Sequence, residues 1–174
     1  IDLDRDAMRE VMRAVMTGGC TDAQIGALLA GLRMKGESID EITAAAEVMR
    51  ELATPVDVDV EPLVDIVGTG GDGASLFNIS SASAFVVAAA GGHVAKHGNR
   101  AASGAVGAAD VLESLGARLD VDAAKASEAI RRLGIAFLFA PLYHPAVRHV
   151  AGPRRELGFR TVFNLTGPLC NPAG

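Results

Sequence analysis

The chain has 174 residues, 49% of them apolar but only 4% aromatic, with no Trp, enough for one ordinary domain or two small ones with a core of aliphatic side chains and Ala. A net charge of −5, two cysteines, a charged start (IDLDRDAMRE) and no apolar run near the ~20 residues of a membrane span argue against a nucleic-acid binder, a disulfide or Cys-metal framework, a secreted chain and a membrane protein. The expectation is a cytoplasmic protein with reduced thiols.

The charge is unevenly spread. Residues 1–72 carry 6 Lys/Arg against 15 Asp/Glu, and residues 73–174 carry 10 against 6. No acid lies between Asp72 and Asp110, a gap that holds His93, Lys96, His97 and Arg100. Such a gap suits a small anionic ligand, although a buried apolar segment would also lack acids.

In chain order, Met8, Val11, Met12, Val15 and Met16 recur at helical spacing, and Gly18-Gly19 ends that run. Thr21-Asp22-Ala23-Gln24 has the capping-box pattern of a second helix, Ile25 to Met34, stopped near Gly36. Ser38-Ile39-Asp40-Glu41 opens a third, to about Ala53. The Pro-flanked acidic stretch Thr54 to Pro62 reads as a linker or edge strand and as the internal boundary. Leu63–Val67 then predicts a strand, Ser80–Ala90 a buried helix, His93–Lys96 a strand, Ala108–Leu115 and Asp122–Leu133 helices, Ile135–Ala140 a strand and 145–157 a helix. Strands alternating with helices predict an α/β domain with a largely parallel sheet. The expected organisation is a small all-helical domain at 1–60, able to take later helices, and an α/β domain at 61–174. The turn-rich end, Leu165 to Gly174, predicts that this second domain is cut short.

The loops carry the chemistry. Four glycines in the six residues Gly68 to Gly73 follow the first strand, each costly in backbone freedom. Gly68, Gly70 and Gly73 satisfy G-x-G-x-x-G, but no acid follows ~20 residues on, as a dinucleotide site requires. No Gly-Lys-Ser/Thr of a P-loop follows either. A nest of backbone N–H groups that binds phosphate or carboxylate remains. Asn78, Ser80 and Ser81 stand at the start of the next helix, where free N–H groups and the helix dipole favour anions, although Asn78 could also simply cap it. Lys96-His97-Gly98-Asn99-Arg100 follows the next strand, on the side where open α/β sheets hold ligands. Asp72 would repel a phosphate unless a divalent cation or a ligand hydroxyl lay between. Together these features predict a ligand with more than one phosphate and a polyol part.

The segments GTGGDG (68–73), FNIS (77–80), VAKHGNR (94–100), ADVLESLG (109–116), and HPAVRHV, PRRELG and RTVFNL within 144–168 closely resemble the anthranilate phosphoribosyltransferase family. The chain resembles roughly the N-terminal half of such an enzyme. The resemblance implies a helical domain joined to an α/β domain and homodimers formed through the helical domain; no nucleic-acid or membrane partner is expected from the charge and the lack of an apolar span. The resemblance implies transfer of ribose 5-phosphate from phosphoribosyl pyrophosphate (PRPP) to the amine of anthranilate with loss of pyrophosphate, on the route to tryptophan, with Mg²⁺. By the same resemblance Gly68, Gly71 and Asp72 touch PRPP, Asn78, Ser80 and Ser81 hold its pyrophosphate, and Ser80 is a Mg²⁺ ligand. Lys96, His97, Gly98, Asn99, Arg100, Ser103 and Gly104 wrap the phosphoribosyl part. Gly68, Asn99 and Arg154 meet anthranilate, Arg154 through its carboxylate, and His97 and His144 line the aromatic's entry path. No acid–base residue is expected, because an aromatic amine is a neutral nucleophile. A pyrimidine-nucleoside phosphorylase-like enzyme and a non-catalytic nucleic-acid-binding relative are the alternatives.

Leu76 and Ala108 depart from the family pattern, which has a polar phosphate contact and a Ser at those places. Pro153 precedes Arg154 and is expected to bend its helix. The family's acidic pair for a second Mg²⁺ has no counterpart before Gly174.

Overall fold

The computed structural model describes residues 1–69, 77–101 and 106–174, which form two compact units. Gly70 to Leu76 and Ala102 to Ala105 lie outside the described residues. One unit comprises residues 1–53 and 144–170, the other 54–143 and 171–174. Residues 144–170 therefore group with the N-terminal helices, although they follow the whole sheet in sequence.

The helical unit contains α1 (Arg5–Met16), α2 (Asp22–Lys35), α3 (Ile39–Glu51), α8 (Arg148–Leu157) and α9 (Val162–Thr166). Both capping boxes form. Thr21 and Gln24 bond reciprocally at the start of α2, as do Ser38 and Glu41 at α3, satisfying N–H groups that a helix cannot satisfy itself. The apolar stripe of α1 buries Met8, Met12, Val15 and Met16 against Ala44, Ala45 and Val48 of α3 and Leu29 of α2. On the outer side Arg5, Arg9 and Arg13 of α1 interleave with Glu47 and Glu51 of α3. Such exposed pairs add little each. Helix α8 runs through Pro153 without interruption. Residues 162–166 form α9 within a stretch that overlaps the expected turns.

Glu41 differs from these surface charges. Its side chain is fully buried and accepts from Lys35 Nζ at 2.6 Å, Ser38 N at 2.8 Å and Leu3 N at 2.9 Å. Burial alone would push its carboxyl up; the Lys35 ammonium and the two N–H groups overcome this and hold it down from 4.5 to about 2. A depressed carboxylate stabilises the fold above its ordinary value, and that stabilisation is lost as pH falls from 4.5 toward 2. With Lys35 a quarter exposed, about 2 kcal/mol is at stake. Acid unfolding followed by circular dichroism should show Glu41→Gln flattening the loss of stability over that window.

The second unit is a three-stranded parallel sheet in the order β1 (Leu63–Val64), β2 (His93–Gly98), β3 (Ile135–Phe139), with α4 (Ile79–Ala89), α5 (Ala108–Ser114), α6 (Ala123–Leu133) and α7 (Ala140–Tyr143). β1 is shorter than the apolar run Leu63–Val67 suggests, pairing only Leu63 with His93 and Val64 with Val94. β2 runs further than expected, to Gly98, paired with β3 from Val94–Ile135 to Gly98–Phe139. Ala95, Leu138, Ala126 and Ile130 make the core between sheet and α6. The stretch from Thr54 forms no strand. Its Val56 is buried and donates from N to the Pro172 carbonyl at 3.0 Å, and Thr54 N reaches the Tyr143 carbonyl at 2.7 Å.

Candidate functional site

In the α/β unit the polar side chains gather where β1 and β2 end and α4 begins. Asn78 is the N-cap of α4. Its Oδ1 accepts from Ser81 N and from Ser80 Oγ, both at 3.2 Å. Lys96 leaves β2 with 3% exposure, and its Nζ donates to the Ile66 carbonyl at 2.6 Å and to Ser80 Oγ at 3.0 Å. Ser81 is also 3% exposed, and its Oγ has no hydrogen-bond partner among the described residues. An eleven-residue helix thus presents its N-terminus, a buried ammonium and an unpartnered hydroxyl within one short stretch of structure. Burial pushes the Lys96 ammonium down from its ordinary value, and the Asp65 charge opposes that shift. Burial pushes Asp65 up, against Asn171, the His97 N–H and the Lys96 charge.

Sequence reasoning singled out Lys96 but passed over Asp65. Its Oδ1 accepts the His97 N–H at 3.1 Å. A lone acid inside the apolar run Leu63-Val64-Asp65-Ile66-Val67 was the available signal.

Gly68 is exposed, and a Cβ added there would meet nothing within 4 Å among the described residues. Nothing in the described packing therefore demands a glycine at that position. Gly71, Asp72, Ser103 and Gly104 fall outside the described residues, as does Leu76. Gly98 is tight: a Cβ there would lie 2.9 Å from the Phe137 ring. Asn99 is exposed, with its Oδ1 taken up locally by Arg100 N at 2.7 Å.

Arg100, expected at the phosphoribosyl part, has partners of its own here. Its guanidinium pairs with Glu113 and with Asp110 of α5 and lies over the Phe139 ring at 5.4 Å. It walls a cavity of about 500 Å³ with Glu113, Arg118, Asp120 and Leu142, none of them a predicted site residue. Helix α5 starts so close to the end of β2 that its acids reach Arg100 first, which a one-dimensional reading does not reveal. Asp110 also accepts Ala101 N at 3.0 Å and Gly107 N at 2.7 Å, so it ties both sides of the 101–107 loop. Ala108, where the family pattern has Ser, is the first residue of α5 and offers no hydroxyl there.

A Cβ on Gly107 would sit 2.3 Å from Ala101 N and 2.7 Å from Arg100 C, both backbone atoms with no rotamer to yield. Gly107→Ala should therefore force these two chain segments apart at a cost of about 1–3 kcal/mol. A fall in melting temperature checks this, and hydrogen exchange should rise at Ala101.

The helical unit carries the other two predicted residues. His144 is 3% exposed, and His97 in the α/β unit is 5% exposed. Arg154 of α8 stacks its guanidinium on the Phe163 ring at 5.2 Å. Burial pushes its pKa down, and no carboxylate pairs with it among the described residues.

Similarity to known proteins divides the chain at the same first boundary, after residue 53, but counts residues 144–170 with the a/b part rather than with the helices they group with. Residues 1–53 match a family model described as the helical bundle domain of a glycosyl transferase family, and residues 60–174 match its a/b domain. The chain therefore belongs to this glycosyl transferase family. Within it, the chain is 63% identical over 173 residues to an anthranilate phosphoribosyltransferase of Cellvibrio japonicus and 62% identical over 174 residues to one of Marinobacter nauticus. These matches cover 99% and 100% of the chain but 50% and 51% of the relatives, so the chain spans about half their length. Among solved structures, the anthranilate phosphoribosyltransferase of Thermus thermophilus superposes with a TM-score of 0.94 at 53% identity, over 99% of this chain and 53% of that one. The Saccharomyces cerevisiae enzyme in complex with PRPP and Mg gives 0.85 at 30% identity, over 97% of this chain and 50% of that one.

Proposed function

We propose that these residues belong to an anthranilate phosphoribosyltransferase and form the part of it that binds PRPP and the anthranilate carboxylate. The observation that carries the reading is the α4 N-terminus, with Lys96 Nζ on Ser80 Oγ at 3.0 Å and a buried Ser81 hydroxyl awaiting a partner. A diphosphate fits that constellation: backbone N–H groups, a hydroxyl donor and an ammonium meet its oxygens. In the reaction the anomeric C–O bond to pyrophosphate breaks, a C–N bond to the anthranilate amine forms, and the amine gives up a proton. The charge grows on the departing pyrophosphate, and fixed donors in a dry site stabilise it without reorganising. Holding both substrates in place supplies much of the rest, so no acid–base residue is assigned.

Ser80 Oγ is a hard oxygen of the kind Mg²⁺ accepts alongside substrate phosphates, and its present hydrogen bonds are to a side-chain oxygen and an ammonium that a bound diphosphate can also engage. When bound there, Mg²⁺ neutralises charge on the leaving pyrophosphate. Gly68, Gly71 and Asp72 would complete the PRPP contact, with Lys96 to Asn99, Ser103 and Gly104 around the phosphoribosyl part. Gly68, Asn99, Arg154, His97 and His144 would serve anthranilate. Arg100, already paired with Glu113, would join the PRPP site only by exchanging that partner. No helix among the described residues is long and apolar enough to cross a membrane. A cytoplasmic homodimer joined through the helical unit is part of the proposal.

Calorimetric titration with Mg·PRPP, with anthranilate, with a pyrimidine nucleoside plus phosphate, and with single-stranded DNA tests the reading. Saturable binding of the first two is expected. Tight DNA binding without pyrophosphate release, or preference for the nucleoside, would overturn it.

A further inference from the structure

The ladder between β1 and β2 ends after two residue pairs, at Val64 and Val94. Past that point side chains take over. Asp65 Oδ1 accepts the His97 N–H at 3.1 Å, and Lys96 Nζ donates to the Ile66 carbonyl at 2.6 Å. The two bonds cross in opposite senses: a β1-side carboxylate to β2 backbone, and a β2 ammonium to β1-side backbone. This clasp fixes where the chain leaves the sheet toward Gly68 relative to Lys96 and His97, and the Lys96 bond to Ser80 Oγ at 3.0 Å carries it to α4. The single bond to His97 needs only an acceptor, which an amide would supply. A carboxylate stands there instead, with its Oδ2 buried and making no hydrogen bond among the described residues. Asn171, next to it, donates one amide N–H to the Ala95 carbonyl at 2.8 Å, and its side chain also favours the charged form of Asp65. Burying a carboxylate is unfavourable; the Asn171 side chain, the His97 N–H and the Lys96 charge offset it, and Lys96 is the cation among them.

We propose that Asp65 is a positioning residue for the anion site: it sets the spacing of the two ligand loops by its bond to His97 and holds the Lys96 ammonium in place by its charge. The proposal rests on the reading of this site as one for PRPP.

The test measures two quantities in the parent chain, Asp65→Ala and Asp65→Asn: Mg·PRPP affinity by calorimetry and amide hydrogen exchange at His97 by NMR. Asp65→Ala should speed exchange at His97 and weaken Mg·PRPP binding, each by about tenfold. Asp65→Asn keeps an acceptor, so exchange should stay near the parent value while binding weakens about threefold through the lost charge. Ser127→Ala is the control. It removes a 2.5 Å bond to the Asp57 carbonyl in the same unit and should lower stability without moving either readout. Unchanged affinity in Asp65→Ala, or an equal loss in Ser127→Ala, overturns the proposal. Should the parent bind no Mg·PRPP, the PRPP reading fails. Exchange at His97 in Asp65→Ala then decides the clasp alone, faster exchange supporting it and unchanged exchange rejecting it.

Discussion

Replacing Arg154 by Ala is expected to weaken anthranilate binding about 100-fold while leaving the melting temperature unchanged or slightly raised. The two halves of that result have one cause. The guanidinium lies against Phe163 with no carboxylate beside it among the described residues, so the unliganded protein bears its desolvation without a described ion pair to offset it. Removing the side chain removes that cost, along with some stacking on the ring. The bound complex, by contrast, loses a charge-assisted, two-pronged contact in a dry setting. Arg154→Lys should recover little, because an ammonium has neither the fork nor the flat face. Fluorescence titration with anthranilate and a thermal melt measure both halves. Mg·PRPP affinity should stay within about twofold of the parent, and its abolition in Arg154→Ala would show that the two subsites are wrongly assigned.

Lys96→Met is the second large effect. The substitution keeps an unbranched, buried side chain and deletes the charge. Mg·PRPP binding should fall by about 100-fold, the worth of a charge-assisted hydrogen bond in a water-poor site. The fold should survive, since burial disfavours the ammonium. The Ile66 carbonyl loses a 2.6 Å donor in exchange. Calorimetry reads the affinity, and anthranilate binding through Arg154 serves as the internal control.

Much of the helical unit is legible in the sequence because its signals are local. Thr21 with Gln24 and Ser38 with Glu41 announce two helix starts, and the Met8-Met12-Val15-Met16 spacing marks the face that α1 buries. What is not legible depends on partners distant in sequence. The run Leu63–Val67 reads as one strand, but Asp65 and Ile66 exchange ladder bonds for ties through side chains, betrayed only by Asp65. Arg100 looks like a free cation in an acid-free stretch; Glu113, thirteen residues on, reaches it once α5 folds back beside the end of β2. Residues 144–170 follow the sheet in sequence yet group with the first 53, because an amphipathic period does not say which surface its apolar face will meet. At the candidate site, residue types pointed to the Asn78-Ser80-Ser81 cap and Lys96, whereas the buried state of Lys96 and the lack of a counter-ion for Arg154 among the described residues come from the structure.

Soaking crystals of this chain with Mg·PRPP measures the central claim most directly. The account predicts diphosphate density at the first turn of α4, within hydrogen-bonding reach of Lys96 Nζ and the Ser80 and Ser81 hydroxyls. Well-ordered ligand bound elsewhere, with Lys96 still closed on Ser80 and the Ser81 hydroxyl still without a partner, would contradict it.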